Sequence, residues 1–126
     1  MTSEVLGFIS SKLEEIGIEY EFMEWTSDPV PEAYFVGEYS ESPSTDESGL
    51  QETTFILTGT ARKWILLEEA KSQIEKLFSK VTGLTAILEN HSGIAVFYDS
   101  AFPVPTGDAE LKRIQINLTV KEWSVN

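Results

Sequence analysis

The sequence predicts an α+β protein, a mainly antiparallel sheet of about six strands with two helices packed on it, in the order α-β-β-β-α-β-β-β. Three observations carry this reading. Two stretches place apolar residues at three- and four-residue steps, the spacing of one helical face. Six others show the period-two alternation or the β-branched and aromatic enrichment of strands. The strands come in two consecutive runs on either side of the second helix, an order that favours antiparallel pairing over a parallel βαβ sheet.

From Ser3 to Ile16, Val5, Leu6, Ile9, Leu13 and Ile16 fall on one helical face, and Gly17 stops the helix at its C′ position. Ile18, Tyr20 and Phe22 alternate with Glu19 and Glu21, which predicts a strand running to about Trp25. Thr26 to Pro31, with two prolines, is a turn, and Ala33 to Ser40 (AYFVGEYS) is the second strand. Residues 41–49, ESPSTDESG, contain no hydrophobic side chain and are expected to form a mobile acidic loop within one domain spanning 1–126. Thr53 to Thr58 is the third strand.

The second helix carries Leu67, Ala70, Ile74, Leu77 and Phe78 on one face with Lys71, Glu75 and Lys76 opposite, and Thr60 is its candidate N-cap. Thr85 to Glu89 and Ile94 to Tyr98 flank Asn90-His91-Ser92-Gly93, a composition suited to a hairpin. Ala101 to Asp108 is a proline-rich connection expected at the surface. In the last strand Ile114, Ile116, Leu118 and Val120 alternate with Arg113, Gln115, Asn117, Thr119 and Lys121.

Charge is the most unusual bulk property. Residues 1–60 hold 13 Asp and Glu against Lys12 alone, whereas residues 61–126 balance 8 acids with 8 bases, so the net charge of −12 belongs to the first half. Such a field opposes gripping of nucleic-acid phosphates and argues against sequence-specific DNA binding. The absence of cysteine removes disulfides and thiolate chemistry and fits a reducing compartment. No stretch has the roughly 20 apolar residues of a membrane span, and the N-terminal segment is interrupted by Glu4, Lys12, Glu14 and Glu15 in a way that a signal peptide is not.

No residue set predicts catalysis, a cofactor or a metal site. His91, the one histidine, reads as a turn residue with no Cys or second His to complete a triad or zinc site. Ser44 to Gly49 resembles a calcium loop only in its glycine, because Phe55 stands where the bidentate acid is required. Thr58 to Lys63 runs from strand to helix with a single glycine and fits neither phosphate-binding fingerprint. Two tryptophans are more informative: by strand parity Trp123 shares a face with Lys121 and Thr119, and Trp25 with Glu19 and Glu21. Large aromatics on polar faces suit interfaces, the competing reading being that a bulge or strand end turns each ring inward.

The stretches AYFVGEYS, TTFILTGTARKWILLEEAKSQIEKLF and LKRIQINLTVKEW, with the N-terminal helix before them, resemble the small tail terminator, or tail-completion, proteins of long-tailed bacteriophages and prophages, including related neck and minor capsid subunits. The likeness covers nearly the full length and is one of pattern and size. It implies a non-enzymatic virion subunit, made in the bacterial cytoplasm, that self-associates into a ring, typically a hexamer, and contacts tail-tube and head-connector proteins. An acidic lumen in such a ring would let DNA slide without sticking. Interface candidates are then Trp25, Trp123 and the acids Glu38, Glu41, Asp46 and Glu47. The alternative function is an intracellular adaptor or regulatory binding module using its acidic surface.

Overall fold

The computed structural model of the chain describes residues 1–41, 50–89 and 92–123. Two helices, α1 (Ser3–Glu15) and α2 (Trp64–Leu77), accompany six strands: β1 (Tyr20–Phe22), β2 (Ala33–Glu41), β3 (Leu50–Ala61), β4 (Leu84–Ile87), β5 (Gly93–Pro103) and β6 (Lys112–Trp123). The fold is α+β in the expected order. All strands join one sheet, β1-β2-β3-β6-β5-β4, in which only β1 and β2 run parallel. The connection through α2 carries the chain from β3 to the far edge, and β6 returns to fill the centre.

Both ends of α1 follow from its sequence. Thr2 is extended and its hydroxyl accepts from the Val5 N–H, while Gly17 takes φ +79° beyond the last turn. The Gly17 N–H then reaches the Glu14 carbonyl and the Ile18 N–H the Leu13 carbonyl, both at 3.0 Å, which is the Schellman pairing. Ile18 is thereby committed to the helix cap and to the core. The strand expected from Ile18 to Trp25 shortens accordingly to Tyr20–Phe22, and it ends where Met23 turns to φ 72°.

The helix-side face of the sheet supplies Phe35, Phe55, Leu57, Ile114, Ile116, Leu118, Val120, Val96 and Tyr98, on which Val5, Ile9 and Leu13 of α1 and Leu67, Ala70, Ile74 and Phe78 at α2 are buried. Two glycines make this layer fit. A Cβ on Gly59 would stand 2.4 Å from the Phe35 ring, its direct cross-strand partner, and one on Gly37 would stand 2.6 Å from the Tyr20 ring. Each ring occupies the space a side chain would need. Burial of the Tyr20 ring also pushes its hydroxyl pKa up to about 12.

Several expected boundaries move. Thr60 does not cap α2: β3 continues to Ala61, Thr60 pairs with Tyr34 and Arg113, and its hydroxyl accepts from Arg113 Nε at 3.3 Å. Lys63 stands at the N-cap with extended backbone and, having no acceptor, makes no side-chain cap. β5 does not stop at Tyr98, because a bulge at Asp99 resets its alternation and pairing resumes from Ser100 to Pro103. The surface connection expected from Ala101 therefore begins only after Pro103. β4 lies at Leu84–Ile87, and β6 gains a residue or two at each end. Of the acidic loop, Glu41 ends β2 and residues 42–49 lie outside the described residues, as do Asn90 and His91 of the expected hairpin turn.

The substitution Gly59→Ala is expected to cost about 1 to 3 kcal/mol, the usual range for overpacking a filled core, because the Phe35 ring must leave its rotamer. Chemical denaturation measures this directly. The double change Gly59→Ala with Phe35→Leu is expected to recover part of the loss if the ring and the methyl compete for one volume.

Candidate interaction surface

Both helices pack on one face of the sheet, so the other face has no helix over it. Its central rows are polar side chains of β6 that partner one another. Arg113 reaches Thr60, Gln115 Nε2 donates to Asn117 Oδ1 at 3.0 Å, and Asn117 Nδ2 donates to Ser100 Oγ at 3.2 Å. Lys121 lies 5.4 Å from the centre of the Phe97 ring and 3.6 Å from Glu52. Between these rows stand Val36, Ile56, Phe97 and Phe102, so the face is amphipathic and largely half-buried by its own neighbours.

Trp123 keeps the pleat of β6 and lies on this helix-free face opposite Gly93 and Leu50, 39% exposed. Trp25 reaches the same side by a different route. Since β1 ends at Phe22, strand parity with Glu19 and Glu21 does not apply to it. Its ring instead packs on Tyr34 at 5.3 Å, and its Nε1 donates to the Ser27 carbonyl at 2.8 Å. The two tryptophans stand at opposite ends of the sheet, Trp25 beside the β2 start and Trp123 at the β6 end. They form no common patch.

The acids divide as well. Glu38 is exposed on the helix-free face opposite Ile56. Glu41, three residues on, points to the helix side and pairs with the amino group of Met1. Asp46 and Glu47 lie outside the described residues.

A carboxylate that sequence reading passed over organises the loop after β1. Glu21 accepts from the Thr26 hydroxyl at 2.7 Å, from the Thr26 N–H at 3.0 Å and from the Ser27 N–H at 3.2 Å. The Thr26 hydroxyl is the largest cause of a pKa lowered to about 2. At the head of this loop the Glu24 N–H bonds the Phe22 carbonyl across Met23, a three-residue γ-turn whose positive φ is unfavourable for any residue but glycine. Met23 is 70% exposed, next to Phe22, which stacks on Tyr39 at 6.0 Å.

Two features were available in the sequence as signals of an uncovered but apolar face. Tyr34-Phe35-Val36 and Phe55-Ile56-Leu57 put apolar side chains on both faces of their strands, which a sheet wetted on one side does not require. Trp64, exposed at the start of α2, carried no such signal.

Among the described residues no group of three or more His, Asp or Glu could hold a metal ion, and no helix is long and apolar enough to cross a membrane. No family model matches the chain, and no curated protein matches its sequence.

The tryptophans are expected to respond differently to substitution. Trp123→Gln leaves an exposed site and is expected to shift stability by less than about 1 kcal/mol. Trp25→Gln loses the Tyr34 contact and the Ser27 hydrogen bond, an expected cost of about 1 to 2 kcal/mol in thermal or urea melts.

Because the folded-state pKa of Glu21 lies below its unfolded value, its bonds to the loop are fully present above about pH 4.5 and are lost as pH falls through about 2. Amide shifts of Thr26 and Ser27 are expected to hold steady through pH 4 and to move only near pH 2. In Glu21→Gln that late transition is expected to vanish.

Proposed function

We propose that the protein is a non-enzymatic virion structural subunit of a long-tailed bacteriophage or prophage, a tail terminator or tail-completion protein joining tail tube to head through an oligomeric ring. The observation that carries the reading is the sheet's one-sided cover: both helices lie on one face, and the other presents a broad amphipathic surface with Trp123, Phe102 and Ile87 exposed on it. Large exposed apolar side chains of this kind mark association surfaces. The element order, helix, two strands, a third strand running into the packing helix, then three closing strands, agrees with the order that the family resemblance implies.

The role needs only surfaces. A standard interface covers about 800 Å² on each partner, so two neighbours in a ring would occupy roughly a fifth of the 7594 Å² accessible surface. The amphipathic face and the acidic strands leave room for tail-tube and head-connector contacts besides.

The test is capping of tails. Purified protein added to cognate tails lacking their terminal subunit is expected to bind at one end, visible by electron microscopy, and to restore joining to filled heads. A protein that stays monomeric both alone and with tails, and leaves joining unrestored, is not a terminator. Capture of a cytoplasmic partner in place of tails would instead favour the adaptor reading.

A further inference from the structure

The two halves of the sequence occupy two halves of the sheet. Residues 1–60 build α1, β1, β2 and nearly all of β3, while residues 61–126 build α2 and the strands β6, β5 and β4 on the other side. Among the described residues the first flank therefore holds 11 acids against Lys12, whereas the other flank holds 8 acids and 8 bases and is neutral as a whole.

Each flank carries an exposed apolar feature among charges of one prevailing sign. On the acidic flank, Met23 projects from its strained γ-turn beside the stacked pair Phe22 and Tyr39, with Glu24 exposed next to it and Glu38 on the opposite face of the same sheet edge. Strained, exposed backbone of this kind concentrates where a side chain has a task. On the other flank a groove of about 380 Å³ runs between the start of α2 and the chain joining β5 to β6, lined by Trp64, Pro103, Pro105, Lys112 and Arg113.

Arg62 and Lys63 stand exposed just before Trp64 and line the adjoining pocket with Glu32, while Lys112 and Arg113 line the groove itself, so four of the nine basic residues lie on either side of Trp64. Among the described residues none of the four is in an ion pair: Lys112 Nζ bonds only the Ala109 carbonyl and Arg113 Nε the Thr60 hydroxyl. Three acids stand among these four bases: Asp108 lines the groove, its carboxylate accepting the Glu110 N–H at 3.0 Å, with Glu110 and Glu32 near it, so the basic excess around Trp64 is a single charge.

We propose that these features dock on each other between copies: the Phe22–Met23–Tyr39 corner of one molecule enters the Trp64 groove of the next. An aromatic and methionine anchor meets an aromatic-lined groove, and acids meet unpaired bases, the pattern of a complementary interface. Because the two surfaces differ, the contact is heterologous, each copy using one surface on either side, and it closes into a ring when the rotation allows. A two-fold contact at the corner would set Glu24 against its own counterpart. This inference rests on the assembly-subunit reading above and names the surfaces through which the subunits meet.

Two single variants test it, Met23→Glu blocking the corner and Trp64→Glu blocking the groove, with Glu24→Arg and Lys112→Glu as milder charge changes at the same places. Sedimentation velocity of the wild-type protein is expected to show association that grows with concentration. Each blocking variant is expected to weaken it by at least roughly thirtyfold, as loss of an interface anchor does.

An equal mixture of the two blocked variants retains one good corner and one good groove. It is expected to form a two-chain species and to stop there, a result that also shows both variants folded. The proposal is overturned if wild type remains monomeric at every concentration, if the variants associate as wild type does, or if the mixture associates no better than either alone. If the mixture pairs but wild-type protein leaves tails uncapped, the docking surfaces stand and the tail-terminator reading falls.

Discussion

Everything in this fold depends on the pairing of β3 with β6, whose register runs without a break from Leu50 opposite Trp123 to Ala61 opposite Lys112. The two strands are held together by matching alternation: Phe55, Leu57 and Ala61 on one, Ile114, Ile116, Leu118 and Val120 on the other, all buried. A slip of one residue would move that set into water and bring Gln115 and Asn117 into the core, so the hydrophobic pattern itself fixes the register. The helix α2 packs across both strands, β2 and β5 add to their outer sides, and the short strands β1 and β4 close the edges. Since the partners are separated by more than fifty residues of chain, this ladder also pays the largest loop-closure entropy in the molecule.

How much of this could be read in advance depended on whether the determinant was local. The buried face and the C-terminal stop of α1 were legible, since the Ile9 and Leu13 spacing and the glycine at position 17 are one continuous signal and the Schellman bonds follow from them, whereas the Thr2 cap was not read. The alternation of β6 was equally plain. Where β3 gives way to α2 the reading missed by three residues, because strand and helix abut without a spacer and Lys63 lacks the capping oxygen that marks most helix starts. The bulge at Asp99 hid the second half of β5, for one inserted residue breaks a period of two. That β6 lies between β3 and β5 is a long-range choice with no local mark.

The surface was legible only where a strand continued. The outward placing of Glu38 and Trp123 follows from the pleat of β2 and β6. Trp25 escaped the same logic because the chain leaves the strand at Met23 and returns the ring to Tyr34 through the Glu21 loop. Phe22 shows the converse: its parity directs it to the helix side, as expected of a core residue, yet it is left partly exposed and stacked on Tyr39. Periodicity reports which face a residue takes, whereas cover depends on where another element happens to end.

The separation of charge by sheet half has a physical consequence beyond solubility. Acids crowded into one flank repel one another, and that repulsion is relieved when a neutral or basic surface is brought against them within a Debye length of about 8 Å. Among the described residues the bases without an acidic partner belong to the other half of the chain, among them Lys112 and Arg113 in the Trp64 groove and Arg62 and Lys63 just before it. Two copies approaching acid to acid raise the repulsion, whereas two approaching in the same orientation lower it. Orientation is thus imposed before any side chains touch, and the same rule applies at each further addition. In the proposed assembly this polarity favours a chain of like-oriented copies over a two-fold pair, and the curvature set by the docking angle decides whether that chain closes.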